Sequence, residues 1–151
     1  MSNLLIEGGR PLSGRVVVGG NKNAALPLLA ACLLTGEECV LTNVPRIGDV
    51  AVMAKLLADL GAEVDGIGTS TLRVRCREIV RDQPDASLVG RLRGSVLLLG
   101  PMLARRGRAR LAAPGGDFPA RRTIAMHLRA LEAMGARQVS GEGHHLEADG
   151  R

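Results

Sequence analysis

The segment "GGNKNAALP", residues 19–27, contains residue types that suit the binding of an anion. Its two glycines let backbone N–H groups approach a ligand closely, and the helix predicted after them begins with unpaired N–H groups of positive partial charge. Lys22 adds a full positive charge, which opposes the helix dipole unless an anion lies between the two. The alternative is a solvated lysine beside an N-cap asparagine, Asn21 or Asn23. The spacing alone favours neither interpretation.

A second candidate segment is "RLAAPGGDFPARRTIAMH", residues 110–127, which runs from a predicted strand through a Pro-Gly-Gly loop into a helix. Asp117 at the tip of the loop could act as a general acid or base. The nearby Arg121 and Arg122 would lower its pKa and favour the charged form. The alternative is an ordinary turn aspartate after two glycines.

Arg93 is predicted to lie inside a helix whose C-terminal half is apolar, two positions from Arg91 and therefore on another face. A guanidinium suits bidentate contacts with a carboxylate or a phosphate. A solvated arginine at the start of the helix is the alternative. His127 is predicted to be half-buried and packed rather than catalytic.

The composition limits the classes of function. The chain has 151 residues, of which 46% are apolar, and a formal net charge of +5, which fits one ordinary domain, or part of a larger one, with an anionic partner. Phe118 is the only aromatic residue, so the stacking platforms of single-strand nucleic-acid binders are absent. With no apolar run approaching 18 residues and no CxxC pair among three cysteines, we expect a cytoplasmic protein with neither a membrane span nor a metal site.

The sequence contains an internal repeat with an offset of 74 residues. The offset aligns Pro27 with Pro101, Leu72 with Leu146 and "LGA" at 60–62 with "MGA" at 134–136. Each copy predicts the order α-β-α-β-β, and two short strands precede the first copy before residue 20. We therefore predict an α/β (α+β) fold of repeated units with three segments, 1–20, 21–78 and 79–151.

The predicted order of elements has a consequence for the chain as a whole. A last strand without a following element would leave an exposed sheet edge. Repeated units seldom bury their faces alone. We therefore expect a fragment of a longer protein, a truncated paralogue, or a subunit completed by self-association or by a separate carboxy-terminal half.

Three stretches together resemble a known family: "GGNKNAALPLLAACLLTGEECVLTNVPRIGDVAVMAKLLADLGAEV", "LRGSVLLLGPMLARRGRARL" and "PGGDFPARRTIAMHLRALEAMGA". They are similar to the amino-terminal part of the UDP-N-acetylglucosamine 1-carboxyvinyltransferases, an enolpyruvyl transferase family that begins peptidoglycan precursor synthesis. The resemblance implies inside-out α/β barrels built of three repeated units, here incomplete. It also implies that residues 1–20 belong to the second domain, and that the third repeat and the rest of that domain are absent.

The resemblance further implies roles for single residues in binding phosphoenolpyruvate. Lys22, Asn23 and Arg122 match positions that contact phosphoenolpyruvate, and Lys22 and Asp117 match catalytic positions. Asp117 stands where most members carry a cysteine on a mobile loop. Members with aspartate there are expected to resist fosfomycin, which alkylates the thiol, while the carboxyl group could still transfer a proton to the enolpyruvyl methyl group.

The positions implied to bind the nucleotide sugar include two departures from the family pattern. The usual proline is replaced by Thr123, and an aspartate that helps to hold the uracil is replaced by Ala125, so recognition of the base is expected to be weakened. The full implied set is Asn23, Arg93, Arg122, Thr123, Ile124, Ala125 and Met126.

The implied reaction transfers the enolpyruvyl group of phosphoenolpyruvate to the 3-hydroxyl of UDP-N-acetylglucosamine, without a metal or an organic cofactor. The carboxylate that the family uses as its base is absent from these 151 residues, so the isolated chain is expected to be weakly active or inactive. Two alternatives remain open: transfer to another acceptor such as shikimate 3-phosphate, and a non-catalytic anion-binding or assembly module.

Overall fold

The computed structural model describes residues 4–115, 123–139 and 144–148. The helices are α1 (Lys22–Ala31), α2 (Gly48–Asp59), α3 (Ala86–Val89), α4 (Leu99–Arg106) and α5 (Ala125–Ala133). The strands are β1 (Glu38–Thr42), β2 (Glu63–Asp65), β3 (Thr71–Arg75), β4 (Arg108–Leu111), β5 (Ala136–Gln138) and β6 (His144–Ala148). Two 3₁₀ segments, Cys32–Leu34 and Arg93–Leu98, lead out of α1 and into α4.

The strands form two antiparallel three-stranded sheets, in the orders β1-β3-β2 and β4-β6-β5. Aligned positions of the repeat occupy equivalent places, since Leu72 and Leu146 are buried in the two central strands. Gly61 and Gly135 follow α2 and α5 with φ of 107° and 101°, a region that favours glycine and ends a helix. The two sheets with their helices confirm the predicted α/β class, and the described residues form no closed barrel.

The sheet order corrects the expectation about the exposed edge. The strand predicted to be an uncovered edge, β6, lies between β4 and β5 and is hydrogen-bonded on both sides. The edges of this sheet are therefore β4 and the three-residue strand β5. Pairing order is a nonlocal property, so the position of a strand in the sequence did not reveal it.

The two strands predicted before residue 20 are also wrong. Residues 4–20 contain no strand, although the pattern of Val16, Val17 and Val18 favours one. Their side chains are 79–88% exposed. An alternating or β-branched sequence forms a strand only where a partner strand satisfies its backbone, and none of the described strands pairs with this segment.

The apolar residues of both units form one core, which positions α1 against the second unit. Helix α1 packs on α2 and on the 3₁₀ segment Arg93–Leu98, and α4 packs on the 3₁₀ segment that follows α1. Arg105 in α4 joins the units by donating to the carbonyl oxygens of Leu33 (2.9 Å), Cys76 (2.9 Å) and Arg77 (2.7 Å). These bonds satisfy three backbone acceptors with one guanidinium. Among the described helices, none is both long and apolar enough to span a bilayer.

Candidate functional site: a cationic cleft between helix α1 and the Arg93 segment

A cleft of about 600 Å³ opens between the start of α1, the start of α2 and residues 91–97. Among the described residues, five apolar side chains line the cleft: Leu26, Pro27, Leu92, Val96 and Leu97. Its polar lining among the described residues consists of Lys22, Asn23, Asp49, Arg91 and Arg93. Three of the sequence-predicted site residues, Lys22, Asn23 and Arg93, therefore share one hollow.

The N-terminus of α1 shows how Lys22 is held. The side chain of Asn21 accepts a hydrogen bond from the backbone N–H of Asn23 at 2.7 Å, so Asn21 is the N-cap. The Nζ atom of Lys22 lies 2.7 Å from Oδ2 of Asp49 in the first turn of α2. The side chains of Lys22 and Asp49 are 50% and 40% exposed. The anion beside Lys22 is thus a carboxylate of the chain itself, at a place that solvent and ligands can reach.

Gly20, in the segment before α1, packs closely against the backbone of Asn43. A Cβ atom at Gly20 would overlap the backbone carbonyl of Asn43, whereas nothing lies within 4 Å of a Cβ at Gly19. Both glycines line a smaller hollow of about 350 Å³ on the β1 side of α1, away from Lys22. Gly20 therefore permits close packing of the chain on itself. Neither glycine lines the Lys22 cleft, and the approach of their N–H groups to a ligand stays a prediction.

The helix predicted around Arg93 is interrupted. Helix α3 ends at Val89, Leu92 is extended (φ −139°, ψ 111°), and Arg93 is the first residue of a 3₁₀ segment. Leu92 is 3% exposed, so its burial in the core holds the chain out of helical geometry here. The prediction that Arg91 and Arg93 point to different faces assumed a continuous helix, and it is wrong because both line the cleft.

The 3₁₀ segment approaches α1 closely at Gly94. A Cβ atom at Gly94 would lie 2.9 Å from Cδ1 of Leu26, closer than real Cβ contacts allow. Glycine at this position therefore lets the 3₁₀ segment pack directly against α1. Arg93, the preceding residue, is half-buried.

The loop predicted to carry Asp117, Arg121 and Arg122 lies outside the described residues, so their predicted roles stay predictions. Gly115 is described, and its backbone N–H donates to the carbonyl oxygen of Val89 at 3.1 Å. A Cβ atom at Gly115 would overlap the carbonyl group of Gly90. Residue 115 is thus packed beside the turn that carries Arg91.

The segment predicted to bind the nucleotide sugar begins α5 and does not line the cleft. Ile124 is 5% exposed and belongs to the core, while Met126 is 73% exposed. Thr123 and Ala125 are exposed, and Oγ1 of Thr123 accepts from the backbone N–H of Ala125 at 2.8 Å. This bond satisfies an otherwise unpaired donor at the start of the helix. The binding role of these four residues remains a prediction.

The comparison with protein families decides the relationship. The family model of EPSP synthase (3-phosphoshikimate 1-carboxyvinyltransferase) matches residues 6–149. The chain belongs to the EPSP synthase family. The resemblance inferred from the "KNAALP" and "PGGD" stretches is confirmed, because similar proteins are named UDP-N-acetylglucosamine 1-carboxyvinyltransferases.

Two relatives illustrate the similarity of this member of the EPSP synthase family. A UDP-N-acetylglucosamine 1-carboxyvinyltransferase of Solibacter usitatus is 45% identical over 144 residues, which cover 95% of this chain and 34% of the relative. One of Shewanella denitrificans is 43% identical over 152 residues, covering 100% of this chain and 36% of the relative. The chain thus spans about a third of the length of these relatives.

Solved structures support the same fold for this EPSP synthase family chain. The enolpyruvyl transferase NikO from Streptomyces tendae has a TM-score of 0.71 and 27% identity, covering 94% of this chain and 31% of that one. An EPSP synthase from Acinetobacter baumannii has a TM-score of 0.63 at 15% identity, covering 89% of this chain and 32% of that one. The second likeness concerns the fold alone.

Two cleft residues of this EPSP synthase family chain were missed from the sequence. Asp49 was missed because a carboxylate in the first turn of a helix is ordinary on dipole grounds. Arg91 was set aside because a continuous helix was assumed. Only the folded arrangement reveals that both line the same hollow as Lys22 and Arg93. His127, predicted to be half-buried, is exposed.

Among the described residues of this EPSP synthase family chain, the thiols and acidic groups indicate neither a reactive cysteine nor a metal site. Burial, with a contribution from the neighbouring Cys39, raises the pKa of Cys32 to about 12. Burial likewise raises the pKa of Cys76. Both thiols therefore stay protonated near neutral pH and are poor nucleophiles. Within the described parts of the chain, no group of three His, Cys, Asp or Glu side chains could hold a metal ion.

Proposed function

We propose that this protein acts in the transfer of the enolpyruvyl group from phosphoenolpyruvate to the 3-hydroxyl of UDP-N-acetylglucosamine, with release of phosphate. The observation that carries the proposal is the convergence of Lys22, Asn23 and Arg93 on one cleft. The names of the relatives supply the acceptor, since proteins 43–45% identical to this chain are called UDP-N-acetylglucosamine 1-carboxyvinyltransferases. The reaction is the first committed step of peptidoglycan precursor synthesis, and we place it in the cytoplasm.

The chemistry of the cleft suits this substrate. Phosphoenolpyruvate carries a phosphate and a carboxylate, and charge shifts onto the phosphate as it leaves. An ammonium group and a guanidinium that already face the same hollow can stabilise that charge without reorganising. Asn23 adds an amide group that can donate or accept a hydrogen bond. No cofactor is needed for this transfer in our proposal.

Proton transfer is assigned to the loop residue Asp117. A carboxyl group there would give a proton to the developing methyl group, in the place where most members use a thiol. Arg122 would bind the carboxylate of phosphoenolpyruvate or the nucleotide sugar. Both assignments follow from the family pattern. We further propose that turnover requires polypeptide corresponding to the other two thirds of the relatives' length, supplied in the same chain or by association.

A second candidate is transfer to a different acceptor, shikimate 3-phosphate. The family model that matches the chain is described by that activity, and Ala125 replaces the aspartate associated with uracil binding. Both acceptors would share the phosphoenolpyruvate site. They differ in whether the second substrate carries a nucleotide.

The experiment measures phosphate release from phosphoenolpyruvate in the presence of each acceptor. The chain is tested alone and together with the carboxy-terminal part of a relative. We expect release with UDP-N-acetylglucosamine in the combined sample and little from the chain alone. Lys22→Gln and Arg93→Gln should each reduce the rate by at least about tenfold, since each removes a charge-assisted contact.

Arg77→Gln is the matched control, because Arg77 is an exposed arginine outside the cleft. It should leave the rate unchanged. Release only with shikimate 3-phosphate would favour the second candidate. Binding of phosphoenolpyruvate without any release, in every combination, would instead support a non-catalytic anion-binding module and contradict the proposed transfer.

A further inference from the structure

Arg91 lies in the cleft although neither the repeat nor the family pattern assigns it a role. Its side chain is exposed and lines the hollow together with Lys22 and Arg93. In the part of the chain that the structure describes, its guanidinium forms no hydrogen bond or ion pair. Lys22, by contrast, is paired with Asp49 at 2.7 Å. Arg91 therefore presents to the hollow a positive charge that is not ion-paired with any described carboxylate.

The backbone of Arg91 is held firmly even though its side chain is exposed. Its N–H donates to the carbonyl oxygen of Leu88 at 3.1 Å, and the N–H of Leu92 donates to Val89 at 3.1 Å. Val89 and Leu92, on either side, are 0% and 3% exposed. The packing of these neighbours fixes the point from which the guanidinium extends into the cleft. Such a held backbone reduces the entropic cost of using the side chain in binding.

The size of the cleft exceeds the needs of one small anion. A volume of about 600 Å³ falls within the range of roughly 300–1,000 Å³ that is typical of sites for larger ligands. Lys22, Arg91 and Arg93 bring three positive charges to the lining of the hollow, against the one negative charge of Asp49, so the hollow attracts a ligand with several negative charges more strongly than one with a single charge. A ligand with two adjacent anionic groups would engage Arg91 as well as the Lys22 and Arg93 pair.

We propose that Arg91 extends the anion site of this cleft, so that it binds a diphosphate in preference to a single phosphate. The inference rests on the proposed function, because the diphosphate of a nucleotide sugar is the ligand that would use it. Arg91 thereby becomes a specificity-determining residue for the acceptor.

The test is isothermal titration calorimetry of the 151-residue chain with inorganic pyrophosphate and with inorganic phosphate, in low-salt buffer near neutral pH. We expect tighter binding of pyrophosphate. Arg91→Gln should weaken pyrophosphate binding about three- to fivefold, the scale of an exposed ion pair, and change phosphate binding less than about twofold. Arg91→Lys should restore part of the loss. Because the contact is exposed, the loss should shrink at about 0.5 M salt.

Arg77→Gln removes the same charge from an exposed arginine outside the cleft and should leave both affinities unchanged. Equal effects of Arg91→Gln and Arg77→Gln would overturn the inference, as would a wild-type chain that binds pyrophosphate no better than phosphate. Arg93→Gln separates this failure from that of the proposed function. If Arg93→Gln weakens the binding of pyrophosphate and of phosphate while Arg91→Gln changes neither affinity, the inference about Arg91 alone fails. If neither substitution changes either affinity, the proposed anion site fails too.

Discussion

The ion pair between Lys22 and Asp49 sets the electrostatics of the cleft at the scale of single residues. Their 2.7 Å contact places a carboxylate where an anionic ligand would meet the ammonium group. Since both side chains are about half exposed, the pair itself contributes little to stability. Its consequence lies in binding, because an incoming phosphate must compete with Asp49 for Lys22.

Asp49→Asn should therefore raise the affinity of the chain for inorganic phosphate. We expect a gain of about two- to threefold at low salt, as suits the loss of one exposed competing charge. Calorimetric titration measures it. Asp65→Asn, which removes an exposed carboxylate on β2 outside the cleft, should have no effect. A loss of affinity in Asp49→Asn would show that Asp49 holds Lys22 in place for the ligand instead of competing with it.

The side chain of residue 117 determines whether fosfomycin can modify the loop. This prediction rests on the chemistry of Asp117 and not on its coordinates. Fosfomycin alkylates a thiol, and a carboxylate at residue 117 offers none. Intact mass spectrometry after incubation with fosfomycin should show no covalent adduct at the loop. Asp117→Cys, in the presence of UDP-N-acetylglucosamine and the carboxy-terminal part of a relative, should acquire one. An adduct mapped to the loop of the unaltered chain would contradict the assignment.

At the scale of elements, the turn after α3 contacts Gly115, which lies four residues after the end of β4. Gly115 donates to Val89 and lies so close to Gly90 that no side chain fits between them. This contact connects the loop base to the residue before Arg91. The geometry of the cleft wall thus depends on a glycine that is distant in sequence and outside the cleft.

Gly115→Ala should destabilise the fold, because its methyl group would overlap backbone that cannot move like a side chain. We expect a loss of about 2–3 kcal/mol in the free energy of unfolding, measured by urea denaturation. Gly100→Ala is the control. A Cβ there meets nothing within 4 Å, and the helical position should gain about 0.5–1 kcal/mol. Equal stabilities of the two variants would refute the packing argument.

The cap of α3 introduces a dependence on pH. The hydrogen bond from the Ser87 side chain, followed by the backbone N–H of Leu88, holds the pKa of Asp85 below its ordinary value of 3.8. A depressed carboxyl pKa stabilises the fold above the unfolded-state pKa, and the contribution is lost as pH falls through the folded-state pKa. Asp85→Asn keeps a capping oxygen that does not titrate.

The stability advantage of the unaltered chain over Asp85→Asn should therefore decrease between about pH 5 and pH 2. Denaturant unfolding of both proteins at matched pH values measures the difference. Ser87→Ala should reduce its pH dependence, since it removes the largest cause of the pKa shift. A difference that stays constant over this range would contradict the role of the Asp85 carboxylate.

At the scale of the whole molecule, the sequence predicted what local periodicity controls. The spacing of apolar residues was enough to place α1, α2 and α5, and the repeat placed β1 to β6 in their order along the chain. What failed depended on tertiary contacts. The extended geometry at Leu92, the central place of β6 and the unpaired segment 4–20 each follow from packing or pairing partners that are remote in sequence.

In the candidate site, too, some residues could be predicted from the local sequence and others only from tertiary contacts. Residue type and spacing made Lys22, Asn23 and Arg93 candidates, the family resemblance implied their binding roles, and the fold brings the three residues to one cleft. Asp49 and Arg91 were not found, because their part in the cleft arises from the packing of α1 on α2 and on the Arg93 segment. The packing of Gly20 on Asn43 was not foreseen, because a close approach to another part of the chain and a close approach to a ligand both favour glycine.

Binding of phosphoenolpyruvate in the cleft is tested by titrating ¹⁵N-labelled protein with this ligand and following the NMR chemical shifts. We expect saturable shifts of the amide signals of Lys22, Asn23 and Arg93 with one dissociation constant, and unchanged signals at Lys55 and Arg77, which are exposed outside the cleft. Shifts that spread evenly over exposed basic residues, or that leave Lys22 and Arg93 unmoved, would contradict binding in the cleft.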